Sequence, residues 1–77
     1  MDFKPLDVVV LKRDLELHEL KCGDLGAVVD VCEPNALQVE FVTASGRTHA
    51  LLTLDAADVR SVGDSDLVSV RPYLQAE

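Results

Sequence analysis

Leu37, Val39 and Phe41 alternate with Gln38 and Glu40, the period of two that marks a strand with one face buried and the other wet. A slip of one residue would drive Gln38 and Glu40 into the core, so this strand is firmly registered. Upstream, residues 27–32 hold three valines, an alanine and a cysteine with only Asp30 charged, a β-branched run too short for a helix and suited to a second strand. Glu33, Pro34, Asn35 and Ala36 supply turn chemistry between the two. Gly23 and Gly26 punctuate the entry, and residues 20–42 read as a β-hairpin around which the chain is organised.

The same patterning extends to both sides. Residues 8–11 are an uninterrupted apolar run expected to form a first strand buried on both faces. Residues 14–21 carry leucines at 15, 17 and 20 among acidic residues, fit neither period, and are expected to form a long loop over one end of the fold. Residues 43–47, with Gly46, suit a tight connection. Residues 48–54 then place Ala50, Leu52 and Leu54 on one face and His49, Leu51 and Thr53 on the other, the first set forming the core. Asp55 can cap a short helical turn, after which Val59 and Val62 are expected to return to the core. A short last strand begins near Val59 or, as a less favoured reading, runs through residues 67–71.

Residues 63–66 are a polar break, and residues 67–74 an apolar tail whose valines and leucines need a partner. That partner is either the edge of the barrel or a second copy of the chain. The order of elements predicts an all-β protein: a small SH3-like five-stranded barrel with a long loop after strand 1 and a helical turn before the last strand. Residues 1–77 are expected to be one such domain, with 63–77 as a C-terminal extension.

Seventy-seven residues leave room for one core, and so short a chain buries only about 60% of its unfolded surface. Cys22 and Cys32 match neither a secreted disulfide framework nor a CxxC motif and are read as reduced thiols. The N-terminal residues lack a cleavable apolar segment, and no apolar run is long enough for a membrane, which gives the expectation of a cytoplasmic protein. The net charge of −7 repels polyanions, so nucleic acid is not the expected partner and a basic protein surface is.

His18, Cys22, Cys32 and His49 have the donors for tetrahedral zinc, but not the spacing of a finger or knuckle. The plainer reading packs the thiols as small apolar side chains and leaves the histidines at the surface. His49 opposite Asp30 or Glu40 would make a base and its orienter, yet no nucleophile is placed by a motif, and a cross-strand hydrogen bond is the simpler role. Asp55, Asp58, Asp64 and Asp66 lack the ligand spacing of a calcium loop. No catalytic, cofactor or metal residue is assigned. The candidate partner-binding residues are Glu16, Glu19, Asp24, Glu40 and Asp58 toward a basic partner, and Val68, Val70 and Tyr73 toward an apolar one.

The segments DVVVL at 7–11, LKCGDLGAVVDV at 20–31, VEFV at 39–42 and GRTHALLTL at 46–54 resemble, in order, a bacterial family of short proteins, domain-of-unknown-function family 4926. The resemblance implies an SH3-like barrel and supplies no catalytic residue. A looser likeness, through Gly23, Gly26 and Val28, is to the KOW motif of ribosomal and transcription-elongation proteins, without the basic residues that grip RNA. Similar barrels also look like accessory subunits of photosystem I and the β-subunit of nitrile hydratase, where the barrel positions another protein. The first expectation is a non-enzymatic interaction module, binding a protein encoded nearby as an antitoxin, immunity protein or accessory subunit does, with homo-oligomerisation through the tail open. The alternative is a KOW-like nucleic-acid-associated barrel.

Overall fold

The computed structural model describes residues 3–73. Five strands, β1 (Val8–Leu11), β2 (Leu25–Cys32), β3 (Ala36–Val42), β4 (Thr48–Asp55) and β5 (Val59–Ser61), are accompanied by two single 3₁₀ turns, η1 (Glu16–His18) and η2 (Ala56–Asp58). All pairings are antiparallel and the sheet order is β4-β3-β2-β1-β5. This is the all-β, SH3-like barrel expected from the sequence, with β4 and β5 as the two unjoined edges. The long loop after β1 and the helical turn before β5 are where the pattern put them.

Alternation along β3 puts Leu37, Val39 and Phe41 in the core, where they meet Val9, Leu11, Leu20, Val28, Leu54 and Val59. Phe3, Leu15, Val31, Ala50, Leu52 and Ala56 pack against this cluster from its margins. No polar side chain is buried among the described residues, so the interior depends on shape and apolar area alone. Gly26 lies inside β2 rather than in the turn before it. An added Cβ there would come within 2.6 Å of Val39 Cγ1 and 2.8 Å of Phe41 Cε2. Gly23, at φ 96°, takes the left-handed turn instead.

Strand β2 contains a feature that residue types alone did not reveal. Strict alternation from Val28 would turn Asp30 inward and Val31 outward. The register shifts between Val28, opposite Val39, and Asp30, opposite Gln38, so Val29 is the extra residue of a β-bulge. After it Val31 lies opposite Leu37 and packs on the core. Asp30, now outside, accepts the Val31 amide at 2.9 Å.

Two expectations for the core are corrected. Val8 is 51% exposed, because the first residue of β1 lies on the outer face, although Val9, Val10 and Leu11 are buried as expected. Val62 does not return to the core; it follows the end of β5 and is exposed. The last strand starts at Val59, so the reading that ran it through residues 67–71 is set aside.

Candidate functional site

Residues 12–24 form the long loop. Its base is closed by Leu11 N donating to Asp24 O at 2.9 Å and Gly23 N to Leu11 O at 2.8 Å. Its tip is pinched by the reciprocal Leu15 and Leu20 backbone bonds, 2.8 and 3.2 Å. Leu20 anchors the loop in the core, while Leu17 points into solvent. The carboxylate of Asp24, at the base, accepts the Lys21 amide at 2.8 Å and is thereby held in a fixed direction.

The tail crosses back to meet it. Arg71 Nε donates to Asp24 Oδ1 at 2.9 Å and Arg71 Nη2 to Asp24 Oδ2, a two-pronged grip on one carboxylate. Arg71 Nη2 also donates to the Glu19 carbonyl at 3.1 Å. Two residues on, the Tyr73 ring lies 4.4 Å from the His49 ring at 53°. His49 Nε2 is 2.7 Å from the His18 carbonyl; a carbonyl only accepts, so Nε2 carries the proton and donates. Loop, β4 and tail are therefore laced together by one arginine, one histidine and one tyrosine.

Around this lacing runs an open groove of about 710 Å³, lined by residues 19–25 of the loop, residues 41–44, His49 and residues 69–73 of the tail. Its electrostatics are set by Asp24. Partial burial pushes that carboxyl up, but the Arg71 hydrogen bond, the Lys21 amide and the Arg71 charge outweigh it and hold the pKa below the ordinary value. The same pairing raises the Arg71 guanidinium above its usual value.

Of the residues singled out from the sequence, Glu19, Asp24, Val70 and Tyr73 border the groove. Glu16 sits with Glu19 and Arg71 around a smaller hollow that shares Glu19, Leu20, Lys21 and Arg71 with the groove. Glu40 is on β3 and accepts the Thr48 hydroxyl. Asp58 is in η2 and is bound at both oxygens by Arg13, at 2.9 and 3.2 Å, which lowers its pKa. Val68 lies outside the groove, 75% exposed, and Val70 turns its side chain to solvent at 94%. Leu74, expected at the end of the apolar tail, lies outside the described residues, as do positions 75–77 of the extension.

The acidic set is thus not one surface: Asp24 and Asp58 are already paired within the chain. Arg71 was missed, although a lone cation between a valine and a proline in a chain with fourteen carboxylates was bound to find one of them. His49 stands at a second irregularity, where the β3–β4 register shifts between Phe41 and Val42. It reaches across to the long loop rather than to Asp30 or Glu40.

Cys22 and Cys32 are exposed free thiols, not packed as small apolar groups: Cys22 falls in the turn before β2, and Cys32 is the last residue of β2, past the stretch that faces the core. Among the described residues no three His, Cys, Asp or Glu side chains gather in a metal-like cluster, and no helix is long and apolar enough to cross a membrane. Comparison with curated proteins gave no match, and comparison with solved structures gave none either. The model of a family described as a domain of unknown function, DUF4926, matches residues 6–61, from just before β1 to the end of β5, and the chain belongs to that family.

Proposed function

We propose that the protein is a non-enzymatic interaction module, whose barrel takes an extended, arginine-bearing segment of a partner protein in the groove beside the long loop. The observation that carries this reading is the docking of the tail against the long loop and β4 at the groove's wall, with Arg71 on Asp24 and Tyr73 on His49. A short segment with a cation and an aromatic two residues apart is what the surface accommodates in cis. Partner segments of the same chemistry compete with the tail for it. The charge of −7 favours a basic partner over a polyanion.

The test uses the full chain carrying Arg71→Ala, in which the tail loses its grip, and a synthetic peptide copying residues 68–73. Amide shifts at Asp24, Leu25 and His49 on titration, abolished by adding Asp24→Asn, are the expected result. An unperturbed spectrum at millimolar peptide would end the proposal. A mobility shift of mixed RNA at low ionic strength would replace it with the nucleic-acid reading.

A further inference from the structure

We propose that residues 62–73 form an autoinhibitory strap across the Asp24–His49 site, and that the Arg60–Asp66 ion pair, which lies outside that site, is the latch that holds the strap in place. The inference rests on the groove reading above and adds its regulation.

Arg71 already uses the acceptors that a partner's guanidinium would need. Its Nε and Nη2 take the two oxygens of Asp24, and Nη2 also takes the Glu19 carbonyl. Tyr73 meanwhile covers the His49 ring at 4.4 Å. A carboxylate presents one two-oxygen edge to a guanidinium, so a partner's arginine gains that edge only when Arg71 leaves it. Docking in cis and binding in trans are therefore exclusive. Glu19, Asp24, His49 and Arg60 fall within the family-matched residues 6–61, and Asp66, Arg71 and Tyr73 follow them. The site belongs to the barrel, and its present occupant to the segment appended after β5.

The latch acts through distance rather than contact. Neither Arg60 nor Asp66 lines the groove. Just after β5 the chain closes a turn, with Asp66 N donating to Gly63 O at 3.1 Å and Gly63 N to Asp66 Oδ2 at 2.6 Å. The same carboxylate takes Arg60 Nη1 at 2.8 Å and Nη2 at 3.0 Å, which ties the turn to the barrel. Between this turn and Arg71, Leu67, Val68 and Val70 are 94%, 75% and 94% exposed, and residues 67–70 make no hydrogen bond to the barrel among the described residues. The strap is thus held at two points with a bare span between them. Opening the latch moves the fixed end of that span from Asp66 back to Ser61 and doubles its length, which lowers the effective concentration of Arg71 at Asp24 by about threefold. The latch pair is itself partly exposed, hence weak enough to open.

The test titrates the peptide copying residues 68–73 into full-length chains and follows the Asp24 and Leu25 amides. Asp66→Asn removes the charge that holds Arg60 but keeps an oxygen for the Gly63 amide, so the turn survives. It should tighten peptide binding about threefold over the native chain. Arg60→Gln, which opens the latch from β5, should match it and serves as the second variant. Arg71→Ala should tighten binding most, and adding Asp66→Asn to it should bring nothing further, because the strap no longer docks. Without peptide, exchange of the 69–71 amides should rise in Asp66→Asn while β2 and β3 keep their protection. Equal affinity in the native chain and in Arg71→Ala overturns the strap and leaves the groove reading standing. Binding to none of the chains ends the groove reading, and the strap with it. A gain from Asp66→Asn that is as large in the Arg71→Ala chain as in the native one overturns the latch, because the substitution then acts on the site directly.

Discussion

The barrel core and the tail that lies across it are built from the same residues put to opposite use. In the core, Val9, Val28, Leu37 and Val39 are sealed from water and touch one another without a polar atom between them. In the tail, Leu67, Val68 and Val70 are almost fully exposed, and the segment is held by its polar members, Arg71 on Asp24 and Arg60 on Asp66. Apolar character did not decide burial; the availability of a complementary surface did. A strand buries its valines because the pleat presents them to a facing strand at fixed spacing. A single extended segment bound through two arginines has no such facing surface, so its valines point wherever the ion pairs leave them.

The contrast predicts very different costs for comparable substitutions. Leu37→Ala, at a side chain with no exposure, removes packing from the centre of the cluster and should cost about 2–5 kcal/mol in urea unfolding. Gly26→Ala should come next, at about 1–3 kcal/mol, because the new methyl meets the stiff Val39 and the buried Phe41 ring within 3 Å. The same exchange at Gly63, where a Cβ would meet only Asp66 Oδ2 at an ordinary 3.5 Å, should stay within about 0.5 kcal/mol of the native chain. A large loss at Gly63 would mean that the tail shares the cooperativity of the barrel.

The barrel was legible from the sequence because its signals are local and repeated. Alternation fixed β3, the valine run found most of β2, and Asp55 marked η2 with its side chain on the Ala57 amide. The bulge at Val29 was not legible, because both parities of GAVVDV place some valines inward; only the demand that Val28, Val31 and the partner residues Val39 and Leu37 all face the core selects it. The groove was half legible. Asp24 and Tyr73 were named, but which acid meets which base is set by how the tail returns over the loop, at a sequence separation of 47 residues. No spacing rule reaches that far, so Glu16, Asp58 and Val68 were grouped with residues they do not join.

Arg71→Ala probes the tail end of the comparison. The pair it breaks is partly exposed on both sides, and such pairs are worth under about 1 kcal/mol, so the midpoint of barrel unfolding should hardly move. The local effect should be large. Proton exchange at residues 66–73 should rise toward that of a free peptide, while the amides of β2 and β3 keep their protection. Equal loss of protection in both regions would erase the distinction between them.

Acid should separate the two regions without any substitution, and its sign follows from Asp24 and Asp66. Asp24 sits below the ordinary 3.8 because the Arg71 bond, the Lys21 amide and the Arg71 charge together outweigh its desolvation. Asp66 is held at about 2 by Arg60 and then by the Gly63 amide, which donates at 2.6 Å. A carboxylate with a lower pKa docked than free binds its proton more weakly in the docked form. Docking is therefore fully supported above 3.8 and loses that support as the pH falls through the depressed values. The ring contact between Tyr73 and His49 should fade as the pH falls below about 4. The methyl signals of Leu37 and Val39, whose surroundings hold no buried carboxylate among the described residues, should keep their native dispersion over the range in which the ring contact is lost. A Tyr73 contact that persists at pH 2 would show that apolar packing, rather than the Arg71–Asp24 pair, holds the tail, and would place the tail on the same footing as the core.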